Sequence, residues 1–381
     1  MALTAELVEV QARSLLRRGK TTDSWFVSRY GMNLYRGCEH ACAYCDGRAE
    51  KYRVEGDFGA RIEVKVNAPE LLERELSRVK ERGFIFIGGG VCDAYQPAEE
   101  RYGLARRCLE LIRERGLPVH VLTKSALVER DLELLCEIND RAGALVSFSV
   151  STLDQDLADL FEPGCAPVAE RLRLLRLLKE RGLGGGVMLM PVLPLLADGA
   201  EQIDGALARF EDAGADFVLF SGMTLKPGRQ REHLLALLQA HHPELVPRYR
   251  ELYGADRWGN ARGDYYRALE RRFADAALRH NVPPRIPHRL YKDRVEKNVE
   301  LALVLAHLGY LSGLVRGERR PDLAAASAEL LRLRERLEDL AEHGMLEQIP
   351  RVTPGIARLV EELLRTGRCL EYEALMPGGG G

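Results

Sequence analysis

Cys38, Cys42 and Cys45 are the residues whose type and spacing carry the most chemistry. They stand in Gly37-Cys38-Glu39-His40-Ala41-Cys42-Ala43-Tyr44-Cys45, a C-x3-C-x2-C spacing. Three thiolates can hold three irons of a [4Fe–4S] cube and leave the fourth iron open to a small-molecule ligand. The alternative is a single zinc held by the three thiolates and His40. That set is tight, because His40 lies between two of the thiols on one short loop. A zinc site also leaves the glycines, lysine and serines further along the chain unexplained, so the iron–sulfur reading is favoured.

These further polar or flexible residues fall at the ends of apolar runs. Gly88-Gly89-Gly90 comes directly after Phe84–Ile87, and glycines there let a ligand approach the backbone; a plain tight turn is the rival reading. Lys124 closes another run and can point its ammonium at a carboxylate, against the ordinary case of a solvated loop lysine. Ser147, Ser149 and Ser151 alternate, so period two puts their hydroxyls on one face. They could meet ribose or carboxylate oxygens, or bond neighbouring backbone. Met188 and Met190 share a face as core filling or as adenine contacts.

Those runs read as strands at Met32–Arg36, Phe84–Gly88, Pro118–Thr123, Ala144–Val150, Gly186–Met190 and Asp216–Phe220. Helical patterns near 68–81, 99–115, 129–139, 168–181 and 199–213 separate them. This alternation predicts an α/β fold with a parallel sheet. Six units fall short of the eight of a closed barrel, so the expectation is a partial (β/α)6 TIM-type barrel. The cysteine loop comes after the first strand, at the C-terminal edge where such sheets place their chemistry. Arg61–Asn67 alternates polar and apolar residues and reads as an extra strand outside the barrel. After about residue 229 only helical patterns remain, near 230–241, 244–253, 262–280, 294–315, 321–342 and 355–365. The expected organisation is a helical segment over 1–30, on the spacing of Leu3, Leu7, Val10, Leu15 and Leu16, and a barrel over 31–228. A helical extension over 229–342 and a C-terminal element over 343–381 with a disordered glycine tail complete it.

The 381 residues are 46% hydrophobic and 29% charged, the balance of an ordinary globular chain. A net charge of −2 gives no global pull toward nucleic acid or anionic lipid. No run of about 18 apolar residues is found, so no membrane span is expected. Glu6, Glu9 and Arg13 stand where a signal peptide would need an apolar stretch. Of eight cysteines, three cluster and five scatter, unlike a disulfide framework, and a reducing cytoplasm fits best.

Taken together, Asn33-Leu34-Tyr35-Arg36-Gly37-Cys38, Gly89-Gly90-Val91-Cys92-Asp93-Ala94-Tyr95-Gln96-Pro97, Leu122-Thr123-Lys124-Ser125 with Arg130-Asp131-Leu132, and Phe161-Glu162-Pro163 with Arg171-Leu172 resemble the spore photoproduct lyase-like (DNA repair photolyase-like) branch of the radical S-adenosylmethionine (SAM) superfamily. The resemblance covers about residues 30–225. It implies that Cys38, Cys42 and Cys45 hold a [4Fe–4S] cluster and that SAM binds the open iron. An electron donor such as flavodoxin or ferredoxin would drive SAM cleavage to a 5′-deoxyadenosyl radical that removes a hydrogen atom from substrate. By the same resemblance Gly88, Gly89 and Gly90 meet the SAM amino group, Tyr44 its adenine, Lys124 its carboxylate, and Ser147 or Ser149 the ribose or methionine part; Met190 stays the adenine candidate its strand face offers. Two positions depart from the lyase. Gly90 stands where the lyase has a hydrogen-donating cysteine, with Cys92 two residues on as a substitute donor or an inert packed thiol. Asp46 stands where the lyase has a tyrosine. These departures argue against thymine-dimer splitting and for a relative with another substrate, DNA, RNA or a nucleotide. Radical modification of a peptide or small metabolite, and a non-catalytic zinc or iron–sulfur binding module, are the alternatives.

Asp46 could ion-pair with Arg48 or Arg36, or bind substrate, and the loop Lys226-Pro227-Gly228-Arg229 could hold an anionic substrate at the barrel mouth. Arg285, His288, Arg289, Lys292, Arg294 and Lys297 could face phosphates along a helical extension, against a solvated helix face. Ile349–Ala357, with the helix after it, resembles a helix–hairpin–helix element, with Arg351 and Thr353 at the usual hairpin glycines; phosphate binding and packing stay open.

Overall fold

The structure, a computed structural model, describes residues 5–89 and 91–378. Gly90 and the terminal glycines 379–381 lie outside the described residues. The chain opens on β1 (Glu6–Val10), β2 (Arg17–Asp23), β3 (Ser28–Met32) and β4 (Tyr35–Arg36), succeeded after the cysteine loop by β5 (Arg61–Lys65) and α1 (Ala68–Leu76). Next come β6 (Phe84–Ile87), α2 (Ala98–Tyr102), α3 (Leu104–Arg115), β7 (Val119–Thr123), α4 (Leu132–Arg141), β8 (Ala144–Ser149), α5 (Gln155–Phe161) and α6 (Val168–Glu180). β9 (Gly184–Val192), α7 (Ala200–Asp212) and β10 (Val218–Gly222) complete the strands.

The seven-stranded sheet has the order β10-β9-β8-β7-β6-β3-β2. β3 and β6 to β10 pair in parallel, and β2 is antiparallel to β3. Six parallel strands with helices between them make the expected partial barrel. β5, the extra strand, pairs with β1 and β4 in a separate three-stranded sheet. The helix expected near the N-terminus is not formed; β1 and β2 stand in its place. Glu6-Leu7-Val8-Glu9-Val10 also alternates with period two, and its β-branched valines suit the strand that β5 offers. The first barrel strand lies earlier than expected, at Ser28–Met32, because Tyr35 and Arg36 pair with β5 instead.

Period two along the barrel strands divides the interior into two cores. Ile85, Val119, Val121, Val146, Phe148, Leu189 and Phe220 pack with Leu109, Ile112, Leu135, Leu175, Leu207 and Phe210 of the flanking helices. Phe84, Phe86, Leu145, Met188, Phe217 and Leu219 face the other way, onto Ile286, Tyr291 and the C-terminal helices. Those helices come after α8 (Arg229–His241), α9 (Val246–Tyr253) and α10 (Gly263–Arg279). They are α11 (Lys297–Arg316), α12 (Pro321–Leu330), α13 (Leu337–Glu342), α14 (Pro354–Thr366) and α15 (Leu370–Leu375). They floor the barrel. α11 is long and apolar enough to cross a membrane by length and composition, with mean hydropathy 1.4, which the count of uninterrupted apolar residues missed. Here it is a core helix that buries Leu301, Val304, Leu308 and Leu311.

The basic stretch before α11 is neither a phosphate-facing helix nor a solvated one. It is irregular apart from one short turn at His288–Leu290. Its cations are spent inside the fold: Arg285 stacks on Trp25 and Tyr310, His288 bonds Glu300 at 2.9 Å, Arg289 pairs with Asp216 at 2.7 Å, and Lys292 donates to the Gly367 carbonyl at 3.1 Å. The Ile349–Thr353 turn carries Arg351 at φ +68° and seats Val352, Ile356 and Val360 in the same core.

Beneath the barrel interior His120 is fully buried, between Ser147 Oγ at 2.8 Å and the Phe26 carbonyl at 3.0 Å. Burial pushes its imidazole down to about 4. The unfolded chain, with an ordinary imidazole near 6.5, therefore takes up a proton between pH 6.5 and 4 that the folded chain refuses. Stability falls as the pH drops through that window, by about 3 kcal/mol at its lower end. Urea unfolding at pH 7 and pH 5 measures the slope, and His120→Gln is expected to remove this share of it.

Candidate active site

The cysteine loop leaves the barrel after β3 and is pinned from three sides. Gln96 accepts from the Glu39 N–H at 2.9 Å and donates to the Gly37 carbonyl at 3.4 Å. Arg48 donates to the Cys42 and Ala41 carbonyls at 2.9 and 2.6 Å and lies over the Phe58 ring. The loop after α5 completes the frame: the Ala43 N–H donates to the Phe161 carbonyl at 2.8 Å and the Gly164 N–H to the His40 carbonyl at 3.2 Å. Val54 and Phe58 pack with Cys38 and Cys92 and shield them from water.

Cys38, Cys42 and Cys45 line one cavity of about 920 Å³. Gly88, Gly89, Tyr44, Asp46, Cys92, Lys124, Ser149 and Met190 line the same cavity. Gly88 must be glycine: its φ is +98° and a Cβ would overlap the Leu122 carbonyl. Burial pushes Cys38 up, helped by Asp93 and the neighbouring thiols, and pushes Cys45 up to about 12. Cys42 moves down, through the Cys165 thiol beside it at 3.7 Å. Three crowded, water-shielded thiols are a donor set that exchanges protons for metal. Among the described residues no three Cys, His, Asp or Glu side chains converge as a single ion requires. His40 is turned to Asp93, with Nδ1 at 3.4 Å. With His40 engaged by Asp93, the zinc set lacks its fourth ligand, whereas three thiolates are the number a [4Fe–4S] cube with one open iron takes.

The other expected site residues divide between the cavity and its frame. Ser147 does not line the cavity; its hydroxyl is taken by His120. Ser149 does, and donates to the Met190 carbonyl at 3.1 Å. Lys124 pairs with Glu162 at 2.9 Å, and Tyr44 bonds Ser151 at 2.8 Å and also Glu162. Asp46 does not pair with Arg48, held by the loop carbonyls, or with Arg36, paired to Glu63. It binds Lys226, Thr224 at 2.8 Å and Gln230 at 3.1 Å; Asp46 and Thr224 line the cavity, while Lys226 holds Asp46 without lining it. Arg229 does not line it either, because its guanidinium donates to the Val54 and Gly56 carbonyls.

Glu162, Arg171 and Asp93 have no role assigned from sequence. Arg171, almost wholly buried, donates to Glu162 and the Ser149 carbonyl, each at 2.7 Å. Burial would raise the Glu162 carboxyl, but Lys124 and Arg171 outweigh it and hold the group far below the usual carboxylate range. Asp93 accepts from the Thr123 hydroxyl and the Lys124 N–H, each at 2.8 Å. Phe161-Glu162-Pro163 is visible as a motif, but its partners lie too far off in sequence to be paired by spacing.

A family model described as the radical SAM superfamily matches residues 32–203. An uncharacterized protein of Mycobacterium tuberculosis is 37% identical over 229 residues, covering 59% of this chain and 67% of that protein. One of Methanocaldococcus jannaschii is 29% identical over 240 residues, covering 63% and 85%. Among solved structures, spore photoproduct lyase complexed with dinucleoside spore photoproduct superposes with a TM-score of 0.54 at 18% identity, over 72% of this chain and 79% of that one. At that identity the likeness is one of fold.

Proposed function

Because this chain belongs to the radical SAM superfamily, enzymes that use a [4Fe–4S] cluster and SAM, we propose that it cleaves SAM reductively and takes a hydrogen atom from a nucleic acid or nucleotide, in repair or modification other than thymine-dimer splitting. The observation that carries the reading is the convergence of Cys38, Cys42 and Cys45 on the cavity that Gly88, Gly89, Lys124 and Ser149 also line. When bound, the cluster and SAM supply a 5′-deoxyadenosyl radical, at the cost of one electron from a reductant such as flavodoxin or ferredoxin.

The chain's own residues bind and orient. The three thiolates hold iron. Gly88 and Gly89 leave backbone open to the SAM amino group. Lys124, fixed by Glu162, presents its ammonium to the SAM carboxylate, while Ser149 and Met190 border the ribose and adenine. Burial pushes the Cys92 thiol up to about 12, which keeps an S–H in the cavity lining; a hydrogen atom given from it to a substrate radical would leave a thiyl, which one electron from the same reductant and a proton would return to the thiol. Arg17, Arg18 and Lys20 of β2 line the same cavity; Arg18 is paired with Glu81, and Arg17 and Lys20 favour an anionic substrate.

Protein reconstituted anaerobically with iron and sulfide, then reduced with dithionite, is expected to convert SAM to 5′-deoxyadenosine, with faster turnover on adding an oligonucleotide. No 5′-deoxyadenosine would overturn the radical reading. Stimulation by a peptide and not by oligonucleotides would overturn the substrate class.

A further inference from the structure

Cys165 is a thiol with no part in the chemistry proposed so far. It sits next to Gly164 in the loop after α5, and that loop is docked on the cysteine loop. A Cβ at Gly164 would stand 2.5 Å from the Glu39 carbonyl oxygen and 2.8 Å from the His40 Cα, so only glycine permits this approach. The Gly164 N–H donates to the His40 carbonyl at 3.2 Å, and the Ala166 N–H to the Lys124 carbonyl at 3.0 Å. Cys165 is thus fixed on both sides by backbone bonds to the site, and its Sγ rests 3.7 Å from Cys42 Sγ. Cys45 Sγ already accepts the Gly47 N–H at 3.3 Å. Hydrogen bonds to the ligating sulfurs are among the determinants of an iron–sulfur potential, because they draw off negative charge that reduction adds to.

We propose that Cys165 is a positioning residue that donates its S–H to the ligating sulfur of Cys42 and so raises the reduction potential of the cluster, an inference that rests on the three-thiolate reading of the site. The cluster takes up one electron from the reductant, and Cys165 keeps its proton throughout.

The test is a potentiometric titration of reconstituted holoprotein, read by the electron paramagnetic resonance signal of the reduced cluster. Losing one hydrogen bond of about 1 kcal/mol is expected to lower the reduced-to-oxidised ratio of Cys165→Ala about three- to tenfold at fixed potential. That is a shift of about 30 to 60 mV to more negative values at 59 mV per tenfold for one electron. Cys165→Ser keeps a donor and is expected to stay within about twofold of the parent. An alanine variant within twofold of the parent would reduce Cys165 to packing. Loss of iron from both variants would make it a holder of the cluster instead, and either result overturns the proposal. The titration reads the cluster whether or not SAM is cleaved. If Cys165→Ala shows the shift but the parent makes no 5′-deoxyadenosine, the functional reading alone would sink.

Discussion

Cys38→Ala, Cys42→Ala and Cys45→Ala are each expected to abolish 5′-deoxyadenosine formation, at least about a thousandfold below the parent, an effect of about 4 kcal/mol on the barrier. With only two thiolates left, the cube loses an anchor rather than a fraction of its affinity. Iron per chain, measured after anaerobic reconstitution, is expected to fall in step with activity. Cys108→Ala serves as the control. Cys108 is buried among Leu104, Leu109 and Ile112 in the flanking core, far from the cavity lining, so its loss should leave iron content at the parent level. A cysteine-loop variant that keeps both its iron and its turnover would remove that residue from the ligand set.

Glu162→Gln is the second large effect, and it falls on stability. Glu162 is the counter-ion of two cations, Arg171 with a side chain 1% exposed and Lys124 with one 12% exposed. Removing the charge leaves Arg171 without it out of reach of water and Lys124 without it at the cavity edge. Breaking a buried pair in this way costs about 3–5 kcal/mol, and urea unfolding at pH 7 reads the loss. Lys124→Met placed on top is expected to recover part of it, a coupling that a double-mutant cycle measures. If the two substitutions simply add, the site does not work as one ionic unit.

Much of the barrel was legible because its parallel strands are buried on both faces and read as short apolar runs: Phe84–Ile87, Val119–Thr123 and Ala144–Ser149 fall within a residue or two of expectation. The cysteine loop was legible because its three thiols are local. What escaped is what only tertiary contact decides. β2, Arg17-Arg18-Gly19-Lys20-Thr21-Thr22-Asp23, has no apolar alternation, being an edge strand mostly open to water. β1 carries a pattern that suits either a helix or a strand, and only β5 selects. The serine strand was placed on one face, yet depth separates its members: Ser149 reaches the cavity and Ser147 stops at His120 below it. The Lys226–Asp46 contact joins residues far apart along the chain, and the Glu162 cluster draws on separate segments, so neither leaves a mark in local spacing.

The floor of the barrel bears on how the chain is made. Synthesis runs from the N-terminus, so the face carrying Phe86, Leu145, Met188 and Phe217 leaves the ribosome well before the helices that cover it. At roughly 5–20 residues per second, the interval between β10 and the end of α15 is roughly eight to thirty seconds. During that time the inner wall of the half-barrel is bare to the cell. Its β10 edge also waits for Pro283, whose carbonyl accepts the Val218 N–H at 2.8 Å. A nascent chain in that condition exposes apolar surface and an unpaired strand edge, the features that make folding intermediates prone to aggregate.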